Sequence, residues 1–237
     1  MDAFDRIGES LKLVVMLTTF LIVLAQAASG VPASLLDAAS ADPMTFTSRL
    51  ADARIPAGLE IREGDIQPIR SRPNRPPVAA EPQQQLVSLE RVIAAFNKQH
   101  SDYVASVEDG VLVIRPLRGR AEYLSTRPFS GEITGTGLMR VAEKIFAPLD
   151  RHLDQPGGRP GSRLGQPGIE VDYGDQLQVT LDGLANLTVL DALNRMATQA
   201  PGHPWVVVTA GAPTKPVRYG FVHAGASVTW MAIQPTP

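Results

Sequence analysis

The sequence predicts an α+β fold made of two similar small βαβ-type modules with mixed sheets, joined by Pro/Gly-rich loops. Three observations carry this. Apolar residues recur at helical spacing behind good N-caps, short β-branched runs end at turn residues, and the same order of elements occurs twice.

The elements follow in order from about Val31. In "DPMTFTSRLADARIP", Asp42 is an N-cap and Pro43 takes the first helical position. Phe46, Leu50 and Ala53 then share a face, and Pro56 ends the helix. "GLEIRE" reads as a half-buried strand with Leu59 and Ile61 inward and Glu60 and Arg62 outward. The stretch "GDIQPIRSRPNRPPVAAEPQQQ" is a long loop or linker, extended where its prolines cluster. Ser88 caps a helix with the apolar face Leu89, Val92, Ile93 and Phe96. Tyr103 to Val107 and Val111 to Ile114 form a hairpin through the Asp109-Gly110 turn, which Pro116 stops.

The later half repeats the order. "GTGLMRVAEKIFAPL" is a helix capped by Thr136, with Leu138, Val141, Ala142, Ile145 and Phe146 inward, ending before Pro148. A Gly/Pro loop follows, then two short strands around Gly174-Asp175. Thr188 and Asp191 start the next helix as a capping box, and Val189, Ala192, Leu193 and Met196 face the core. Trp205 to Val208 is a strand with which "VRYGFV" can pair. "SLERVIAAFNKQHSDYVASV" aligns with "TVLDALNRMATQAPGHPWVVV", cap on cap, so one packing unit occurs twice.

Composition limits the function classes. With 44% hydrophobic and 19% charged residues the chain has material for a real core, and a net charge of −2 speaks against a nucleic-acid partner. Behind Arg6 and Lys12, the apolar run from Leu13 to Ala25 ends at the small-residue site Ala25-Gln26-Ala27. That is the pattern of a secretory signal peptide cleaved after Ala27. The alternative is an inner-membrane anchor over residues 11–28, which would be the only membrane attachment. With no cysteine there is neither a disulfide framework nor a lipid-bearing N-terminal Cys, which favours a periplasmic or secreted bacterial protein. The expected division is 1–27 signal peptide, 28–42 N-terminal segment and 43–127 first module with its Pro/Arg loop at 64–85. The second module spans 128–222 with a Gly/Pro loop at 154–168, and 223–237 is a tail.

"RLADARIPAGLEI", "VSLERVIAAF" and "DGVLVIRP" in the first half, with "VTLDGLANLTVLDALNRMA" and "WVVV" in the second, resemble the short secretin and TonB-receptor N-terminal (STN-like) domain. The resemblance covers most of residues 43 to 222. It implies small α/β modules of the bacterial envelope and a role in protein–protein contact or signal transfer. The first unit departs from the pattern, lacking Leu-x-Gly before its helix and carrying the extra Pro/Arg loop. A sequence ending at residue 237 is also expected to lack a barrel or ring domain. Receptor or secretin function therefore does not carry over; only the module type does.

No residue set in the chain has the spacing of a catalytic or metal-binding motif. His100, His152, His203 and His223 lie far apart and none has a second ligand at metal spacing, so neither a metal nor another cofactor is expected. Asp150 and Asp154 flank His152 at a solvated helix end, and Asp172 and Asp175 are turn formers. Arg159 and Arg163 sit in a glycine loop with no strand before it and no helix after it, unlike a phosphate loop. His223 and Ser227 lie close in "HAGASVTW" without a nucleophile elbow, and Asn186-Leu187-Thr188 is a helix start rather than a glycosylation site. Tyr103 and Trp205 read as core residues.

The expectation is thus an exported, non-enzymatic envelope protein that binds or scaffolds an envelope protein partner. The alternative is a periplasmic sensor of a small molecule or peptide, held in the groove between modules. Short sheets leave edges, so Val111 to Ile114 and Trp205 to Thr209 are candidates for strand addition. The binding residues this names are Val111, Val113, Arg115, Arg118 and Trp205. The competing reading is that the chain covers its own edges, with "VRYGFV" over the Trp205 strand.

Overall fold

The computed structural model describes residues 30–66, 85–152, 177–209, 216–223 and 227–232. The signal segment, most of the 64–85 loop, all of the 154–168 loop with Asp154, Arg159 and Arg163, and Asp172 and Asp175 lie outside the described residues. Among the described residues, five α-helices accompany ten strands: α1 Ser34–Ala38, α2 Pro43–Asp52, α3 Leu89–Gln99, α4 Leu138–His152 and α5 Val189–Gln199. The strands are β1 Val31–Pro32, β2 Ala57–Arg62, β3 Leu86–Val87, β4 Tyr103–Glu108 and β5 Val111–Pro116, then β6 Ile133–Thr136, β7 Gln178–Leu181, β8 Trp205–Thr209, β9 Pro216–His223 and β10 Ser227–Ala232. The chain is α+β, as expected.

Local chemistry sets the helix starts. The Asp42 carboxylate accepts from the Thr45 N–H at 3.0 Å, with Pro43 in the first turn. Ser88 accepts from Arg91 N–H, and Thr188 with Asp191 forms the complete capping box. Two ends differ from expectation. Helix α2 stops at Asp52, ahead of Pro56, because Arg54 takes a left-handed conformation (φ 54°) that turns the chain out. Helix α4 starts after Gly137 (φ 91°), whose carbonyl accepts from Val141 N–H, while Thr136 belongs to β6 and bonds Gln178 instead of capping. It also runs through Pro148 to His152. A proline here removes one N–H and bends a helix without having to end it.

The main sheet runs β10-β9-β8-β2-β5-β4. Strand β2 is parallel to both β5 and β8, and the β4–β5, β8–β9 and β9–β10 pairs are antiparallel. The β4–β5 turn has φ 51° at Asp109 and φ 79° at Gly110, the two positive values that a tight hairpin demands. Two short antiparallel ladders, β1·β3 and β6·β7, stand apart from this sheet.

Both faces of the sheet are covered. Leu59, Ile61, Leu112, Ile114, Val206 and Val208 meet Leu35 of α1, Phe46 and Leu50 of α2, and Val92 and Phe96 of α3. Alternate residues Val111, Val113, Trp205, Val207, Tyr219 and Phe221 meet the Leu138, Val141, Ile145 and Phe146 face of α4 and Val189, Leu193 and Met196 of α5. The two-module division has no counterpart in the sheet, because β8 of the second half pairs directly with β2 of the first. What recurs is local. A short ladder, a capped helix and a hairpin occur as β1·β3, α3, β4–β5 and again as β6·β7, α5, β8–β9.

Candidate functional site

The two strands expected as edges are interior. Strand β5 lies between β2 and β4, and β8 lies between β2 and β9. Val111, Val113, Arg115 and Trp205 are buried. Only Arg118, in the exposed turn after β5, remains at the surface. The Trp205 strand is covered by "VRYGFV", as the competing reading had it: Trp205 pairs with Phe221 and Val207 with Tyr219. Main-chain docking at Val111 or Trp205 is thereby corrected. A paired strand has no N–H or C=O to offer a partner.

The sheet's described edge on the first half is β4. The Asn97 side-chain amide meets it as a strand would: Nδ2 donates to Ala105 C=O at 3.0 Å, and Oδ1 accepts from Ala105 N–H at 2.7 Å. Since the Ala105 N–H and C=O point away from β5, so do the backbone groups of Tyr103 and Val107 by the two-residue repeat. The same device closes β7, where Gln199 Nε2 donates to Thr180 C=O at 2.7 Å and Oε1 accepts from its N–H at 3.0 Å. On β6 the Lys144 ammonium donates to Thr134 C=O. Asn97→Ala should lower stability by about 1–2 kcal/mol, since two part-buried backbone groups lose their partners at once. Urea unfolding checks this, and an unchanged midpoint would show that water replaces the amide without cost.

Inside the sheet lies an ionic contact that the alternating reading of "GLEIRE" missed. Glu60 is fully buried and accepts from Arg115 Nε at 2.8 Å with Oε2. Its Oε1 accepts from the Ala121 N–H. Both charged residues point to the α4/α5 face, in continuation of the register that pairs Leu59 with Ile114. Beside them the Tyr123 hydroxyl is buried with no hydrogen-bond partner. Burial, then the nearby Glu60 carboxylate, pushes its ionisation far up, so it stays a neutral phenol. At the C-terminal end of β2, Tyr103 Oη donates to Asp65 at 2.7 Å and accepts from Arg62 N–H, while Arg62 Nε pairs with Asp65 at 2.6 Å. Desolvation and the Asp65 carboxylate push the Tyr103 phenol up to about 12. Both clusters hold strand ends and turns in place.

The fold also joins two histidines that sequence spacing kept apart. His203 Nδ1 and His223 Nδ1 are 3.1 Å from each other, one before β8 and the other at the end of β9. No pattern across twenty residues of sequence signalled the contact; it follows from the β8–β9 pairing alone. Burial, then the neighbouring His203, lowers His223 to about 4, and burial followed by the Arg54 charge lowers His203. The unfolded chain therefore takes up protons below the ordinary value of 6.5 that the folded chain refuses until about 4. Stability contributed by the pair is complete above that range and falls as pH drops through it. Urea midpoints at pH 7.5 and 4.5 should differ more for the native chain than for His203→Ala. Equal differences would remove the pair from the acid response.

Among the described residues there is no group of three or more His, Cys, Asp or Glu placed to hold a metal ion, and no helix long and apolar enough to cross a membrane. Comparison with protein-family models, curated proteins and solved structures returned no match.

Proposed function

We propose that the chain is an exported bacterial envelope protein that acts as a rigid protein-binding scaffold and performs no catalysis. The observation that carries this is the single sheet through both halves, with its outer strand β4 at the surface. The segment between the halves is fixed at both ends, by Ala121 N–H on Glu60 and by Val189 N–H on Thr126 C=O. Such a body presents surfaces at constant separation, as a scaffold must. The repeated ladder, capped helix and hairpin support the STN-like assignment of each half and, with it, a role in protein contact. The alternative, a ligand groove between modules, is disfavoured by the direct β2·β8 pairing and by the Trp205 indole lying over Gly58.

Asn97 closes the middle of β4, so main-chain pairing with a partner is left to its hairpin end at Val107, which is 51% exposed. Val107→Pro removes an outward N–H and leaves the β4–β5 ladder intact. The native chain should capture a defined partner from envelope fractions, and the variant, folded by circular dichroism, should lose it. Undiminished capture would refute docking at β4. Export is tested separately: the mature protein should begin at Ala28, and intact Met1 in the cytosol would overturn it.

A further inference from the structure

We propose that His203 and His223 form a two-imidazole binding site for a late first-row divalent ion of the zinc and copper class. The backbone holds the two rings in place. His203 N–H donates to Ala200 C=O at 3.1 Å, and Val222 N–H donates to Pro204 C=O at 3.0 Å, tying the start of β8 to the end of β9. The rings stand at 76° to one another with their Nδ1 atoms 3.1 Å apart. Two nitrogens on one tetrahedral ion, each at about 2.0–2.1 Å from it, are separated by about 3.3–3.4 Å. The Nδ1 atoms need to part by only a few tenths of an ångström, and the rings to turn so that both lone pairs converge on the ion.

The proton arithmetic is favourable. In the ring–ring hydrogen bond one imidazole donates its Nδ1–H to the other's Nδ1. On binding, that proton moves to Nε2 of its own ring, leaving both rings neutral and both Nδ1 lone pairs on the metal. No net proton is released. His203 is half-buried while His223 is buried, so solvent reaches the pair from the His203 side and can fill the remaining coordination positions. Arg54 opposes a cation there, but it is exposed and its charge is screened by water. Imidazole donors select zinc, nickel and copper over magnesium and calcium, with copper(II) tightest.

The test uses the full chain without an affinity tag, titrated calorimetrically with Cu²⁺, Zn²⁺ and Mg²⁺. Expected is saturable binding in the order copper before zinc, with no magnesium binding. His203→Ala should weaken copper and zinc by at least about tenfold, since even outer-shell substitutions cost that much. His100→Ala should change nothing, because His100 stacks on Phe96 in the opposite core and contacts Ala39 C=O. Unchanged affinity in His203→Ala overturns the site. A second arm needs no variant: the electron paramagnetic spectrum of the copper-loaded native chain should show coupling to imidazole nitrogens, and its absence would also overturn it.

Discussion

Glu60→Ala is expected to lower the stability of the fold by about 3–5 kcal/mol, the cost of removing one partner from a buried ion pair. The reason is the state of what remains. Arg115 is left at 10% side-chain exposure with its Nε hydrogen bond gone, and the Ala121 N–H loses its acceptor in the same step. For a chain of this size the loss corresponds to roughly 10 °C in melting temperature. Glu60→Gln should cost less, because an amide oxygen still accepts from Ala121. Replacing both residues, as in Glu60→Leu with Arg115→Met, should recover much of the loss, since an apolar pair does not carry the desolvation of two charges. The double variant cannot recover all of it, because Ala121 N–H would join Tyr123 Oη as a buried group without a partner. Urea unfolding of the four proteins decides the matter. A loss below about 1 kcal/mol for Glu60→Ala would mean that water reaches Arg115 and the pair is not closed.

The position of Glu60 shows how far the sequence could be read. Helix faces and caps are local: Asp42, Ser88 and Thr188 act within three residues, and the apolar spacing of α2 to α5 is fixed by the helical repeat. The Asp109-Gly110 hairpin is local in the same way. The order of strands is not. Strands β2 and β8 pair across most of the chain, and no period in either segment encodes that choice. A clue to burial was present all the same. "VLVI" and "WVVV" are continuous apolar runs, the pattern of strands covered on both faces, whereas the true edge, "YVASVE", alternates. The continuous runs, expected to offer docking edges, are therefore the interior strands. "GLEIRE" alternates too, yet its outward face is the second core, and there a carboxylate needs a cation; Arg115 ends the neighbouring run. The amide plugs of Asn97 and Gln199 and the contact of His203 with His223 depend on tertiary pairing and left no trace in spacing.

Gly58→Ala should destabilise the chain by about 1–3 kcal/mol, far above the usual effect of adding one methyl group to a surface strand. Gly58 and Trp205 are register partners on adjacent parallel strands, and the indole folds back across the glycine, so a Cβ there would fall on the ring itself. The ring has little room to yield. Trp205 is 1% exposed, is hydrogen-bonded through Nε1 to Asn194 Oδ1 at 3.2 Å, and packs in the core under α4 and α5. The strain therefore passes to the β2·β8 pairing, the joint between the two halves. Trp205→Leu alone should cost several kcal/mol through the cavity it leaves and the Asn194 amide it orphans. In the presence of Trp205→Leu, however, the alanine at position 58 should cost little, because its methyl enters vacated space. The two changes must then be strongly non-additive, with the double variant more stable than the sum predicts. Strict additivity in urea unfolding would show that the indole and Gly58 do not compete for the same volume. The close packing of the halves across β2 and β8 would then have to rest on other contacts.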